Sequence, residues 1–195
     1  LEESKVCYSK AIELNPNHYK AYNNLGNVLQ DKGKIEEAII AYKKALLINP
    51  NHIEAYNNIG NALKDQGKLD ESIESFNKTL SINPNYAYAH NNIGNVLKDQ
   101  GKLDESVESF KKALSIKPDF ALALNSMGVA LKHQGKMKDA IEAFKKALSI
   151  KFEDSTTHKN LSFTLLNFGR FQEGLEEYEW RWKTNEFIPQ YRHFS

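Results

Sequence analysis

Between residues 19 and 52 the apolar positions are Tyr22, Leu25, Gly26 and Leu29, then Ile35, Ala38, Ile39, Tyr42, Ala45 and Leu46. Steps of three and four residues put each group on one side of a helix, so two amphipathic helices are predicted. Gly33 lies between them, where a left-handed helix terminus fits glycine alone at little cost. Asn49-Pro50 closes the second helix, because proline can neither donate its backbone N–H nor clear the preceding turn.

This pattern returns every 34 residues. Gly26, Gly60, Gly94 and Gly128 keep that step, as do Gly33, Gly67, Gly101, Gly135 and Gly169, and Pro16, Pro50, Pro84 and Pro118. A fixed period of this length predicts stacked helical pairs, none of which can bury its apolar face alone. The repeats are 19–52, 53–86, 87–120 and 121–154. Residues 1–18 supply the second helix of a truncated repeat (Ser4, Tyr8, Ala11, Pro16). Residues 155–188 form a degenerate repeat with a C-terminal aromatic cap, and 189–195 a tail. Phe152 replaces the closing proline of the fourth repeat, which predicts a looser turn or a longer helix there. Ser162 and Gly174 break the small-residue pattern of the fifth, and Arg181 stands at its other alanine place, so the stack is expected to change character after residue 154.

These residues resemble the tetratricopeptide repeat family. Its pattern runs aromatic, Leu-Gly, small residue, aromatic, alanine, proline; the second repeat shows Tyr56, Ile59, Gly60, Ser72, Phe76, Thr79 and Pro84. The resemblance covers essentially the whole chain. It implies an all-α fold, a right-handed α-solenoid superhelix of stacked helix pairs, lined on its concave side by the first helix of each repeat. Close approach of the two helices is the expected role of Gly26, Gly60, Gly94 and Gly128 with Ala38, Ser72, Ser106 and Ala140. Tyr42, Phe76, Phe110 and Phe144 are expected to fill the space between repeats.

With places counted from residue 19 and 100° allowed per residue, places 2, 5, 6, 9, 12 and 13 of each first helix lie opposite its apolar side. Asparagine dominates places 5, 6 and 9: Asn23, Asn24 and Asn27; Asn57, Asn58 and Asn61; Asn91, Asn92 and Asn95; then Asn125 and Asn160, with Ser126, Val129, Lys159 and Phe163 as exceptions. Lys64 and Lys98 share the sector at place 12. Each asparagine costs up to about 0.7 kcal/mol of helix stability relative to alanine. A carboxamide both donates and accepts, which suits the main chain of an extended peptide whatever its side chains. The alternative is a solvated polar face spread by repeat duplication. The stretches "YNNLGNVLQDKGKIEEAI" and "HNNIGNVLKDQGKLDES" are similar to the repeats of the O-linked N-acetylglucosamine transferase family. That resemblance implies a substrate-holding asparagine ladder at Asn24, Asn58, Asn92 and Asn160, broken at Ser126. The family's clamp for a C-terminal carboxylate is not met: Asn23, Asn27 and Asn58 fit its amide places, but Tyr88 and Asn92 stand where its basic residues should be.

Composition narrows the partners. Of 195 residues, 26 are Lys or Arg and 25 Asp or Glu, a formal net charge of +1. This gives no general attraction to nucleic acid or anionic membrane. No apolar run approaches the roughly 20 residues a bilayer crossing needs. Nor does a signal segment open the chain, which starts abruptly with "LEESKVCYSK" as a fragment would. Cys7 is the only cysteine, which excludes an internal disulfide and favours a reducing, cytoplasmic setting.

Catalytic chemistry is not expected. His18, His52, His90, His133, His158 and His193 are scattered, with no pair at metal-ligand spacing on one helix, and no cofactor is implied. Glu36-Glu37 and Asp70-Glu71 open second helices, where they complement the helix dipole. The aromatic stretch Phe171, Tyr178, Trp180, Trp182, Phe187, Tyr191 and Phe194 is expected to cap the stack or to form a docking surface. Its "YEWRW" element (Tyr178, Trp180, Arg181, Trp182) resembles the junction of bacterial-type repeat proteins with a glycosyltransferase-like domain. The expected function is therefore a protein- or peptide-binding scaffold. Two rivals stay open: the substrate-guiding arm of a larger glycosyltransferase-like protein, and a self-assembly module stacking end to end through the truncated first repeat.

Overall fold

A computed structural model describes residues 2–180. These residues form eleven helices and no strand: α1 (Glu2–Leu14), α2 (Tyr19–Asp31), α3 (Ile35–Ile48), α4 (Ile53–Asp65), α5 (Leu69–Ile82), α6 (Ala87–Asp99), α7 (Leu103–Ile116), α8 (Ala121–His133), α9 (Met137–Ile150), α10 (Ser155–Asn167) and α11 (Phe171–Tyr178). The fold is the all-α helical repeat that the 34-residue period predicts. Arg181, Trp182, Phe187, Tyr191, His193 and Phe194 lie outside the described residues.

Turn chemistry sets the element boundaries. Gly33, Gly67, Gly101, Gly135 and Gly169 all have φ between +74° and +83°, a conformation that costs glycine no Cβ clash. Asn15, Asn49 and Asn83 fold their side-chain oxygens onto the backbone N–H two residues on, at 3.0–3.2 Å, the Asx turn that starts the first three connections between repeats. Phe152 does not lengthen its helix. α9 ends at Ile150, and Lys151 takes the extended conformation that Lys117 has in the preceding repeat.

The chain divides into two compact units, Leu1–Val96 and Leu97–Ser195. In the first, Tyr42 and Phe76 are completely buried, among Leu29, Ala38, Ala45, Ala55 and Ile59 for Tyr42 and beside Ala89 and Val96 for Phe76. In the second, Phe110, Phe144, Leu161 and Leu165 form one core with Val107, Ala140 and Ile141. The rings of Tyr42, Phe76 and Phe144 are each faced by a glycine, Gly26, Gly60 and Gly128: a Cβ on Gly60 would come within 2.5 Å of Phe76, and one on Gly128 within 2.6 Å of Phe144.

The fifth repeat keeps this close approach by exchanging the two small residues. In the second repeat Ser72, on the second helix, donates its hydroxyl to the carbonyl of Gly60 on the first, at 2.7 Å. In the fifth repeat Ser162, on the first helix, donates to the carbonyl of Gly174 on the second, also at 2.7 Å. The irregularity at these two places is thus one contact seen from its other side.

Candidate functional site

The polar sector of the first helices does not present a uniform row of free amides. Asn23, Asn57 and Asn91 are buried, and two of their side chains are held by the next repeat. Asn58 Nδ2 donates to Asn23 Oδ1 at 3.1 Å and to Asn27 Oδ1 at 3.0 Å. Asn92 Nδ2 donates to Asn57 Oδ1 at 3.0 Å. In the second compact unit Asn160 Nδ2 donates to Asn125 Oδ1 at 3.0 Å. The rule is a bond from place 6 of one repeat to place 5 of the repeat before it, 35 residues apart. At Asn23 and Asn57 it relieves a buried acceptor that would otherwise be costly, and at Asn125 a half-buried one. Asn91, 1% exposed, keeps a buried Oδ1 without a hydrogen-bond partner. It is the fifth-place asparagine that the sequence follows, one repeat later, with Ser126.

Around α2, α3 and α4 these bonds join a longer network. Gln30 Nε2 donates to the Asp65 carboxylate at 2.9 Å, and the Tyr42 hydroxyl lies 2.9 Å from Asn27 Oδ1 and 3.0 Å from Gln30 Oε1. Burial, with the nearby charges of Asp31 and Asp65, pushes the Tyr42 hydroxyl well above its ordinary value, so it stays a donor. Asn58 uses both amide hydrogens in this wall and leaves its Oδ1 outside it. Asn24 keeps its Nδ2; its Oδ1 receives only a 3.5 Å contact from Asn23. Asn61 and Asn95 are half-buried and Asn27 exposed. Lys64 is half-buried, and Lys98 lies 3.7 Å from Asp99.

This division predicts unequal substitutions. Asn58→Ala deletes two bonds and strands the buried Asn23 acceptor, an expected loss of about 1–3 kcal/mol in urea unfolding. Asn24→Ala is expected to stay within about 0.5 kcal/mol of the native chain.

A second polar cluster was not legible as a site. His158 is 2% exposed; its Nδ1 lies 2.5 Å from Glu177 Oε2 and its Nε2 2.7 Å from the Phe152 carbonyl. Its ring stacks on Trp180 with centroids 4.0 Å apart. The available signal was weak: place 23 becomes glutamate only in the fifth repeat, but place 4 is histidine in the third as well, at His90 beside a serine at place 23. The corresponding residues of the second repeat, Tyr56 and Ser75, also touch, Ser75 donating to the Tyr56 carbonyl at 2.8 Å. Among the described residues no group of three or more His, Cys, Asp and Glu side chains could hold a metal ion. No described helix is long and apolar enough to cross a membrane.

The sequence pattern described as "TPR repeat" matches residues 26–67, 60–101 and 94–135, and that described as "Tetratricopeptide repeat" matches 7–40 and 121–154. Among solved structures the chain is similar to MamA (residues 41 to the end) from Desulfovibrio magneticus RS-1, with TM-score 0.71 and 23% identity over 86% of this chain and 97% of that one. It is similar to YrrB, a TPR protein with an unusual peptide-binding site, with TM-score 0.63 and 20% identity over 93% of each chain. It is also similar to a chain of the Cut9–Hcn1 hetero-tetramer of the APC/C, with TM-score 0.86 and 15% identity over 95% of this chain and 37% of that one. These likenesses show the fold. A search of curated proteins returned no match.

Proposed function

The chain belongs to the tetratricopeptide repeat family, a family of protein-interaction scaffolds rather than catalysts, and from that premise we propose that its first-helix face binds an extended segment of another protein. The observation that carries this reading is the sorting of the amides. Asn23, Asn57 and Asn125 build the wall with their partners from the following repeats. Asn24, Asn61 and Asn95 form no strong bond to it, and Asn58 keeps a free oxygen. A face stiffened by inter-repeat bonds and carrying unspent amide groups suits a peptide main chain, which offers donors and acceptors at every residue. YrrB, of the same fold, has a peptide-binding site, which supports the reading.

The test uses the amides outside the wall, so that loss of binding is separable from loss of fold. A library of extended peptides is presented to the native chain and to the Asn24→Ala, Asn61→Ala, Asn95→Ala triple variant, with helicity followed by circular dichroism. The triple variant is expected to stay folded and to bind more weakly by about 3 kcal/mol, roughly 100-fold in Kd. Equal capture by both chains would leave these amides as solvated surface.

A further inference from the structure

The first-helix face changes chemistry in the fourth and fifth repeats. At place 2, where the first two repeats hold Lys20 and Glu54, the fourth holds Leu122, which is 54% exposed. At place 9, where the first three hold Asn27, Asn61 and Asn95, the fifth holds Phe163, 42% exposed, with the ring of Tyr178 beside it at 6.0 Å. The bond between Asn160 and Asn125 joins α8 and α10 on this face, and Leu122 and Phe163 each stand three residues from it, on their own helices. Single exposed apolar residues are ordinary on any protein. Here the charge changes with them. α8 and α10 contain no Asp or Glu but carry Lys132 and Lys159, whereas the first helices of the earlier repeats carry Asp31, Glu54, Asp65 and Asp99. Lys132 and Lys159 lie in the same outward sector as Leu122 and Phe163 and form no ion pair among the described residues.

From this juxtaposition we infer that repeats four and five recognise an acidic stretch of extended polypeptide carrying a bulky apolar side chain. The inference rests on the binding reading proposed above and adds its specificity. Asn125 and Asn160 would hold the strand, Leu122 and Phe163 would cover its apolar side chain, and Lys132 and Lys159 would meet carboxylates on either side. Asp154, beside Leu122 and Asn125, is paired with Lys151 at 3.3 Å, so Lys132 and Lys159 leave the face net positive, a field that selects partners by charge sign. Burying one large apolar side chain supplies the anchor.

Three fluorescein-labelled peptides test it by anisotropy: alternating Glu and Ser about a central Phe, the same peptide with Ser in place of Phe, and the Phe peptide with Lys in place of Glu. The native chain is expected to bind the first at least about tenfold more tightly than either other. The Leu122→Ser, Phe163→Ser variant should lose the preference for Phe, and the Lys132→Glu, Lys159→Glu variant should favour the lysine peptide; both substitute exposed or half-buried side chains, and circular dichroism verifies their folding. If the native chain captures library peptides yet ranks these three equally, the inference falls and the binding reading stands. If it captures no peptide at all, both fall.

Discussion

Phe76→Ala is expected to lower unfolding stability by about 3–5 kcal/mol. The ring is completely buried and lies against the backbone of Gly60. Nothing nearby can follow a shrinking side chain, because α4 and α5 are held by the Ser72 bond to the Gly60 carbonyl and by a second bond from Ser75 to the Tyr56 carbonyl at 2.8 Å. Attacking the same contact from its other side gives the opposite fault. Gly60→Ala places a Cβ 2.5 Å from the ring and forces it aside, an overpacking cost of about 1–3 kcal/mol. Urea unfolding of both variants, followed by far-UV circular dichroism, measures the two together. A Gly60→Ala chain as stable as the native one would mean that the ring yields freely, and the close approach of the two helices would then not be what selects glycine.

His158→Ala is expected to cost about 2–4 kcal/mol and to loosen the C-terminal end of the described chain. The substitution removes a ring stacked at 5° on Trp180 and met edge-on by Phe152, with centroids 5.7 Å apart. It also leaves the Phe152 carbonyl and the Glu177 carboxylate without the nitrogens that face them. Tryptophan emission should shift to longer wavelength as Trp180 gains water. Because stability in stacked repeats is largely a sum of local and nearest-neighbour contributions, the loss should appear first in hydrogen exchange of α10 and α11, with α2 to α5 protected as in the native chain. Unchanged emission together with a loss under about 1 kcal/mol would show that the imidazole anchors nothing.

The sequence made the repeat legible because each of its signals is local. Gly33 and its equivalents mark a backbone conformation, Pro50 and its equivalents a stop, and Leu29 or Phe76 a face, and all of these act within one or two helical turns. The sequence marked the asparagines as one polar sector, but not the burial of Asn23, Asn57 and Asn91 within it. Asn23 and Asn24 are adjacent, equally polar and identical in type, and no local rule makes one a buried acceptor and the other a surface amide. The fifth repeat shows the same limit: Ser162 and Gly174 read as defects one at a time, although together they restore the contact made by Gly60 and Ser72. His158 was read as one of six scattered histidines because Glu177 stands 19 residues away and on another helix.

What the sequence by itself determined is the period, the class of fold, the ends of the helices and which side of each helix turns inward; these follow from backbone sterics and from the 3.6-residue turn, which every repeat obeys alone. Only the tertiary structure decided which atoms of each Asn-Asn pair are spent in bonds between repeats: the Asn58 and Asn92 amides donate, the Asn23 and Asn57 oxygens accept, and the Asn91 oxygen stays buried without a partner. That division depends on which side chains neighbouring first helices bring within hydrogen-bond distance, residues 35 apart in the chain, and it gives chemically identical side chains different partners.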